Sequence, residues 1–298
     1  MSKNWNGRNI IKTALLVLFA SGIIGVFAYI LFSEDSSAAS YEVLTVTDLD
    51  VGKADAAVLR YKDFLGIIDT GTEESYPVID AFLKKEGIDN IDWMLITHYD
   101  KDHSGGALSL IDDYDVDKIC LPDYVSEKKH YGELTEKART LDTATFVSSP
   151  EEYSYGELKL QIIPPADPEG LKQDEEDYDN NMSLLCMVTL GSKKLFFTGD
   201  IEKDRIAQVL NSPLDIDADW IKLPHHGTHE KKMKKFLKRV SPEYSVISTS
   251  EEEPPEEELL ALLNELGIKN YDTVKENVVT KCDGHYIKVT GSSAYHIP

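Results

Sequence analysis

Residues 41–47 alternate apolar and polar side chains, the period of a strand with one face in a core. Residues 56–61 and 64–68 are two further strand-like runs, separated by the turn-prone pair Lys62-Asp63. Residues 76–86 carry apolar side chains at helical spacing. A short apolar run, 92–96, ends abruptly at Thr97-His98. Residues 107–112 then return to a helical pattern and 118–121 to a strand, and 127–139 are charged and helical. The second half repeats this style. Strands are expected at 158–163, 184–190, 194–198, 220–223 and 244–248, and helices at 203–210, 231–239 and 255–266. Residues 274–281 and 286–290 are expected to close the domain as a strand pair.

Strands in sets, interleaved with helices, predict an α/β fold with two sheets face to face and helices outside, a four-layer αββα sandwich. A doubly wound parallel sheet demands stricter strand–helix alternation and a glycine-rich phosphate loop after the first strand. The sequence has neither.

The N-terminus departs from these patterns. From Thr13 to residue 32 the chain carries no charge, a stretch of about 20 residues that suffices for a membrane-spanning helix. Lys3, Arg8 and Lys12 precede it, and Glu34 and Asp35 follow. That asymmetry predicts a cytoplasmic N-terminus and a domain outside the cytoplasm. Residues 1–32 are therefore expected to form a short cytoplasmic tip and a signal anchor, 33–40 a linker, and 41–298 the folded domain. The alternative is a secreted form cut near Ser37-Ala38-Ala39. An apolar run this long exceeds the roughly 7–15 residues of a cleavable signal and favours retention.

A hydrophobic content of 42% supports a sizeable core. The formal net charge of −22 gives no general footprint for a polyanion, although bound cations reverse the field locally. Three distant cysteines, Cys120, Cys186 and Cys282, show no CxxC spacing and read as buried thiols.

The chemistry concentrates in His98-Tyr99-Asp100-Lys101-Asp102-His103-Ser104-Gly105-Gly106, directly after a strand. His98, Asp100, Asp102 and His103 are the N and O donors that zinc accepts; manganese or iron also suits them. The two glycines are expected to turn the chain sharply into the next helix. Asp69 ends the apolar run Ile67-Ile68. Alone it reads as a turn cap; beside the histidine-rich loop it is suited to orient a metal-binding histidine from behind. Asp200 ends Leu195-Phe196-Phe197-Thr198-Gly199 and has two oxygens with which to bridge two ions. Pro224-His225-His226-Gly227-Thr228-His229 follows another short strand, and a doublet in that position is expected to contribute a ligand. His229 reads as an exposed histidine at a helix start.

These residues resemble the metallo-β-lactamase superfamily across most of residues 41–290. Its signature of a strand-end Asp, an HxHxDH loop, a later His, a bridging Asp and a final His looks like Asp69, His98-x-Asp100-x-Asp102-His103, Asp200 and His225. Residues 49–56 and the Pro-His-His-Gly stretch look most like the extracytoplasmic hydrolase domains of bacterial competence DNA-uptake channel proteins and their stand-alone relatives. The teichoic acid phosphorylcholine esterases are a more distant likeness. Two departures stand out. The second His of the loop is Asp100, and the later His, expected near residues 180–183, is missing, with Asn181 or Ser183 in its region. Both departures weaken the position that uses His98 and Asp100. The resemblance thus implies two zinc sites, one tight (Asp102, His103, Asp200, His225) and one weaker, with His226 orienting His225 or touching substrate.

Two ions lower the pKa of a shared water to about 7, making hydroxide the expected nucleophile, with Asp102 orienting it. A phosphoester is the expected substrate, as nucleic acid, nucleotide or cell-wall polymer. A metal-braced, non-catalytic accessory domain linked to DNA uptake or the envelope is the competing expectation.

Overall fold

The computed structural model describes residues 42–128, 130–171 and 177–291. The apolar segment 10–32 and the linker 33–40 lie outside the described residues. Among the described residues no helix is long and apolar enough to cross a membrane.

The strands among the described residues are β1 (Leu44–Asp48), β2 (Ala57–Tyr61), β3 (Phe64–Ile68), β4 (Asn90–Ile91), β5 (Trp93–Leu95), β6 (Asp115–Val116), β7 (Ile119–Pro122), β8 (Ala144–Val147), β9 (Glu151–Tyr155), β10 (Leu158–Ile163), β11 (Leu185–Leu190), β12 (Lys193–Phe197), β13 (Trp220–Lys222), β14 (Tyr244–Ile247), β15 (Lys269–Asp272), β16 (Val278–Cys282) and β17 (Ile287–Thr290). The first sheet has the order β17-β16-β1-β2-β3-β5-β7-β8 and the second β15-β14-β13-β12-β11-β10-β9; β4 and β6 form a small ribbon. Both sheets follow one plan. Neighbours linked by tight turns pair antiparallel, as in β2–β3, where Lys62-Asp63 closes the register Tyr61↔Phe64. β3, β5, β7 and β8 in one sheet and β12 to β15 in the other are separated by helices and pair parallel, whereas β10 and β11 pair antiparallel although two short helices lie between them.

Alternation along each strand sends its side chains to two apolar layers. Leu44, Leu59, Trp93 and Leu95 meet Leu160, Val188, Phe197 and Trp220 between the sheets. Val58, Ile67 and Met94 face the other way, against Ile79, Leu83 and Leu110 of the first helices. Phe196 and Ile221 pack on Ile206, Phe236 and Leu259. Three apolar layers between helix, sheet, sheet and helix make the expected αββα sandwich. Cys120, Cys186 and Cys282 are buried free thiols in its central layer.

Candidate metal centre

The C-terminal ends of parallel strands from both sheets meet along one edge, where the chain leaves for its crossovers. Ligand sites in open α/β sheets form at such edges. The chain leaves β3 through Asp69, β5 through Thr97-His98, β12 through Gly199-Asp200 and β13 through Pro224-His225-His226.

Asp69 adopts a left-handed conformation (φ 58°), strain of a kind that collects at functional sites. Its carboxylate accepts hydrogen bonds from the Thr97 N–H (2.7 Å) and the Thr97 hydroxyl (2.8 Å). It also meets His103 Nδ1 at 2.8 Å. The bond assigns the ring proton to Nδ1 and directs Nε2 at Asp200, 3.1 Å away. His103 itself lies on the short helix Lys101–Ser104. The two following glycines have ordinary helical φ values, so a sharp turn is not their role. A Cβ on Gly106 would stand 2.4 Å from the Thr70 carbonyl oxygen, and one on Gly105 2.7 Å from the Glu73 nitrogen. They let the loop pack directly on the backbone that follows Asp69.

Asp102, His103, Asp200 and His226 each bring a ligand atom within 4.8 Å of the others. His226 Nε2 lies 3.2 Å from Asp102 and 3.3 Å from Asp200. Its Nδ1 lies 3.1 Å from the Ser248 carbonyl, which again frees Nε2 for a ligand role. Burial opposes charge on both rings, but the surrounding carboxylates outweigh it. Asp200 and Asp69 hold His103 well above its usual range, and Asp200 and Asp102 push His226 up to about 10. Burial works against ionisation of Asp102 as well, yet the bond to His226 and the charge of His103 hold its carboxyl below the usual range.

The structure places His225 differently from the expectation. His225 and His226 are consecutive left-handed residues, with φ of 49° and 51°, and their ring centroids stand 6.4 Å apart. That backbone doublet sends the His226 ring into the four-donor set. It turns the His225 ring toward Glu202 (3.5 Å) and Glu230. What His225 gives the centre is its backbone N–H, which donates to Asp200 Oδ1 at 3.1 Å.

On the other side of the centre, His98 is fully buried and its ring lies 4.2 Å from that of His103. Burial and the neighbouring His103 push its pKa down to about 4, so the ring is neutral. Its Nε2 is buried with no hydrogen-bond partner, the condition of a nitrogen that waits for a ligand. Asp100 does not join it: both its carboxylate oxygens meet Lys128 Nζ, at 2.8 and 2.9 Å. Nor does Asn181. Its Oδ1 accepts the N–H groups of Glu202 and Arg205, and its amide nitrogen donates to the Asp177 carbonyl, which ties it to the start of the helix Lys203–Asn211. Ser183 accepts the Asp200 N–H through its hydroxyl (3.1 Å) and so positions that carboxylate. The donors therefore fit one divalent ion at the four-residue set. A second position would draw on His98 and a share of Asp200. A cavity of about 720 Å³ opens beside Asp102, lined also by Lys53, Asp100, Lys101, Lys128 and His130.

Beneath the centre, Lys222 Nζ bonds both oxygens of Asp55, at 2.7 and 2.9 Å, and both residues are buried. Asp55 in turn lies 3.8 Å from His226 and 4.0 Å from His103. Sequence reasoning gave this pair no role. The signal was present in Trp220-Ile221-Lys222-Leu223, a lysine inside an apolar strand, which requires a buried counter-charge. Asp48, buried nearby, is pushed up to about 7 chiefly by that burial.

The profile of the metallo-β-lactamase superfamily matches residues 49–251. The chain belongs to that superfamily. Among curated proteins it is similar to ComE operon protein 3 of Bacillus subtilis, 26% identical over 243 residues, covering 74% of this chain and 30% of that protein. Recombination protein 2 of Haemophilus influenzae is 27% identical over 239 residues, covering 78% of this chain and 27% of that protein. The chain thus spans less than a third of the length of these relatives. Among solved structures, the metallo-beta-lactamase fold protein YhfI of Bacillus subtilis superposes with a TM-score of 0.53 at 11% identity. The match covers 84% of this chain and all of that one, and shows the shared fold.

Proposed function

We propose that this chain is a metal-dependent hydrolase that acts on a phosphoester. The observation that carries the reading is the convergence of Asp102, His103, Asp200 and His226 at one strand-end edge. Two imidazole nitrogens and two carboxylates suit zinc, and manganese or iron is the alternative. An ion in this set supplies Lewis-acid chemistry, acidifying water and polarising a phosphoryl oxygen. Of the two positions expected from sequence, this is the one the reading uses.

The protein's own groups divide the remaining work. His103 and His226, locked by Asp69 and the Ser248 carbonyl, fix the donor geometry. Asp102 is the least buried of the four, with 27% of its side chain exposed, so it is the donor that faces the cavity. Its carboxylate accepts a hydrogen bond from the attacking water and orients it. Lys53, Lys101 and Lys128 line the cavity against Asp100, Asp102 and Glu253, so its wall balances charge within a molecule of net charge −22. The name Recombination protein 2 supports a phosphodiester, since recombination acts on DNA; nucleotides and wall polymers are the other phosphoester classes. Residues 10–32 anchor the chain in the cell membrane in this reading, with the domain outside the cytoplasm. Cleavage near residues 37–39 would instead give a secreted form, and fractionation of the expressing cell separates the two.

The engagement of Asp100 by Lys128 favours a second reading, a metal-braced binding or accessory domain. Metal content and hydrolysis of bis(p-nitrophenyl) phosphate by the full chain decide between them. Bound metal and turnover, both lost in Asp102→Ala, are expected. Bound metal with no turnover on any phosphoester moves the chain to the second reading.

A further inference from the structure

We propose that the centre holds a single metal ion and that the Lys128 ammonium takes the place of the second cation, meeting the phosphoryl oxygen of the substrate. This rests on the metal-dependent reading above and specifies how its charge is arranged.

The donors around the second position are nearly all accounted for. Both Asp100 oxygens are held by Lys128, at 2.8 and 2.9 Å. The Asn181 amide is held by backbone groups of the helix start, and Ser183 by the Asp200 N–H. Among the described residues His98 Nε2 on this side is buried with no hydrogen bond; Asp100 Oδ1 also lacks one but is taken up in the Lys128 ion pair, and Asp200 already belongs to the four-donor set. A catalytic zinc takes about three protein ligands. One private donor and a shared carboxylate fall short of that.

Lys128 supplies what the position then lacks. An imidazole at residue 100 would be neutral and would leave the charge to a metal. Asp100 is an anion, and Lys128 is the cation placed against it. The ammonium has three N–H donors. One of them bonds Asp100 Oδ2, while Oδ1 stands in the ion pair without a hydrogen bond, so Nζ keeps donor capacity for a ligand. Lys128 also lines the cavity that ends at Asp102, and 40% of its side chain is exposed. Its own backbone N–H is fixed by the Ser126 hydroxyl at 3.1 Å, which limits how far the segment can drift. Burial disfavours the charge, but the bond to Asp100 and the charges of Asp100, Asp179 and Asp102 outweigh it, so the ammonium stays protonated. A phosphoryl oxygen entering the cavity therefore meets the Lys128 ammonium on the Asp100 side, across from Asp102, one of the residues that would hold the ion.

The test is metal stoichiometry on the full chain, by mass spectrometry after equilibration with excess zinc and gel filtration, with calorimetric titration of inorganic phosphate into the zinc-loaded protein. One ion per chain is expected in the wild type and in Lys128→Met. Lys128→Met should weaken phosphate binding by about 10–100-fold, the loss of a hydrogen bond to a charged group. The double variant Asp100→His/Lys128→Met should take up a second ion. Two tightly held ions in the wild type, or unchanged phosphate affinity in Lys128→Met, would overturn the proposal and leave the hydrolase reading standing. One ion with Lys128-dependent phosphate binding but no turnover would do the reverse. A chain that binds no ion overturns both.

Discussion

Asp69 Oδ2 and His103 Nδ1 meet at 2.8 Å although 34 residues separate them in the chain. The contact couples the end of β3 to the loop after β5, two strands that pair in parallel. Three hydrogen bonds converge on the one carboxylate, so the His103 ring is aimed before any ligand arrives.

Asp69→Asn should keep the fold, because Asn tolerates a left-handed backbone. It exchanges one acceptor oxygen for a donor and leaves either Thr97 or His103 with a mismatched partner. Outer partners of this kind are worth about 10–100-fold in metal affinity. Competition with a chelator should show a loss in that range with an unchanged circular dichroism spectrum. Full retention of affinity would mean that Asp69 braces the loop without tuning the ligand.

The histidine doublet gives a sharper contrast. His226→Ala removes a donor from the four-residue set and should empty it, whereas His225→Ala leaves all four in place. Metal content should therefore fall to near zero in the first variant and remain close to the wild-type value in the second. The opposite ranking would return the ligand role to His225.

That contrast marks where sequence reasoning reached its limit. The ligand types and their strand-end positions were legible because short apolar runs ending in Asp69, His98, Asp200 and Pro224-His225-His226 carry their own punctuation. Which ring of the doublet turns inward depends on two successive left-handed residues, and a pair of non-glycine side chains gives no sign of that conformation. The fate of Asp100 was hidden for another reason: its partner Lys128 lies in a loop 28 residues away. The αββα layers followed from apolar periodicity, and β3 and β10 match their expected bounds. Of the strands that were missed, β8, β9 and β15 lie at the edges of the two large sheets, and β4 and β6 form the two-stranded ribbon. Glu151–Tyr155 and Lys269–Asp272 carry polar side chains, as edge strands do, and their neighbours rather than their own pattern fix them as strands.

Lys222→Met should destabilise the fold by about 3–5 kcal/mol, the usual cost of leaving one member of a buried ion pair uncompensated. Asp55 would keep its charge in a buried position beside His103 and His226. Denaturant melts of the metal-free protein measure this directly. The double variant Lys222→Met/Asp55→Leu should recover most of the loss. A double variant no more stable than the single would show that Asp55 supports the histidines independently of Lys222.

The last prediction concerns pH. Burial alone would lower the His226 pKa, but Asp200 and Asp102 raise it from 6.5 to about 10 in the metal-free fold. In the unfolded chain the same ring titrates near about 6.5. The folded state therefore holds this proton more tightly, and the resulting stability is complete below that value and disappears as pH rises through about 10. The melting temperature of the metal-free wild type should exceed that of His226→Gln at pH 6. The gap should shrink steadily toward pH 10. Metal binding displaces the same proton from Nε2, so zinc affinity should rise with pH over this window while the zinc-loaded protein loses the slope. A gap that stays constant from pH 6 to 10 would show that His226 is neutral in the metal-free fold.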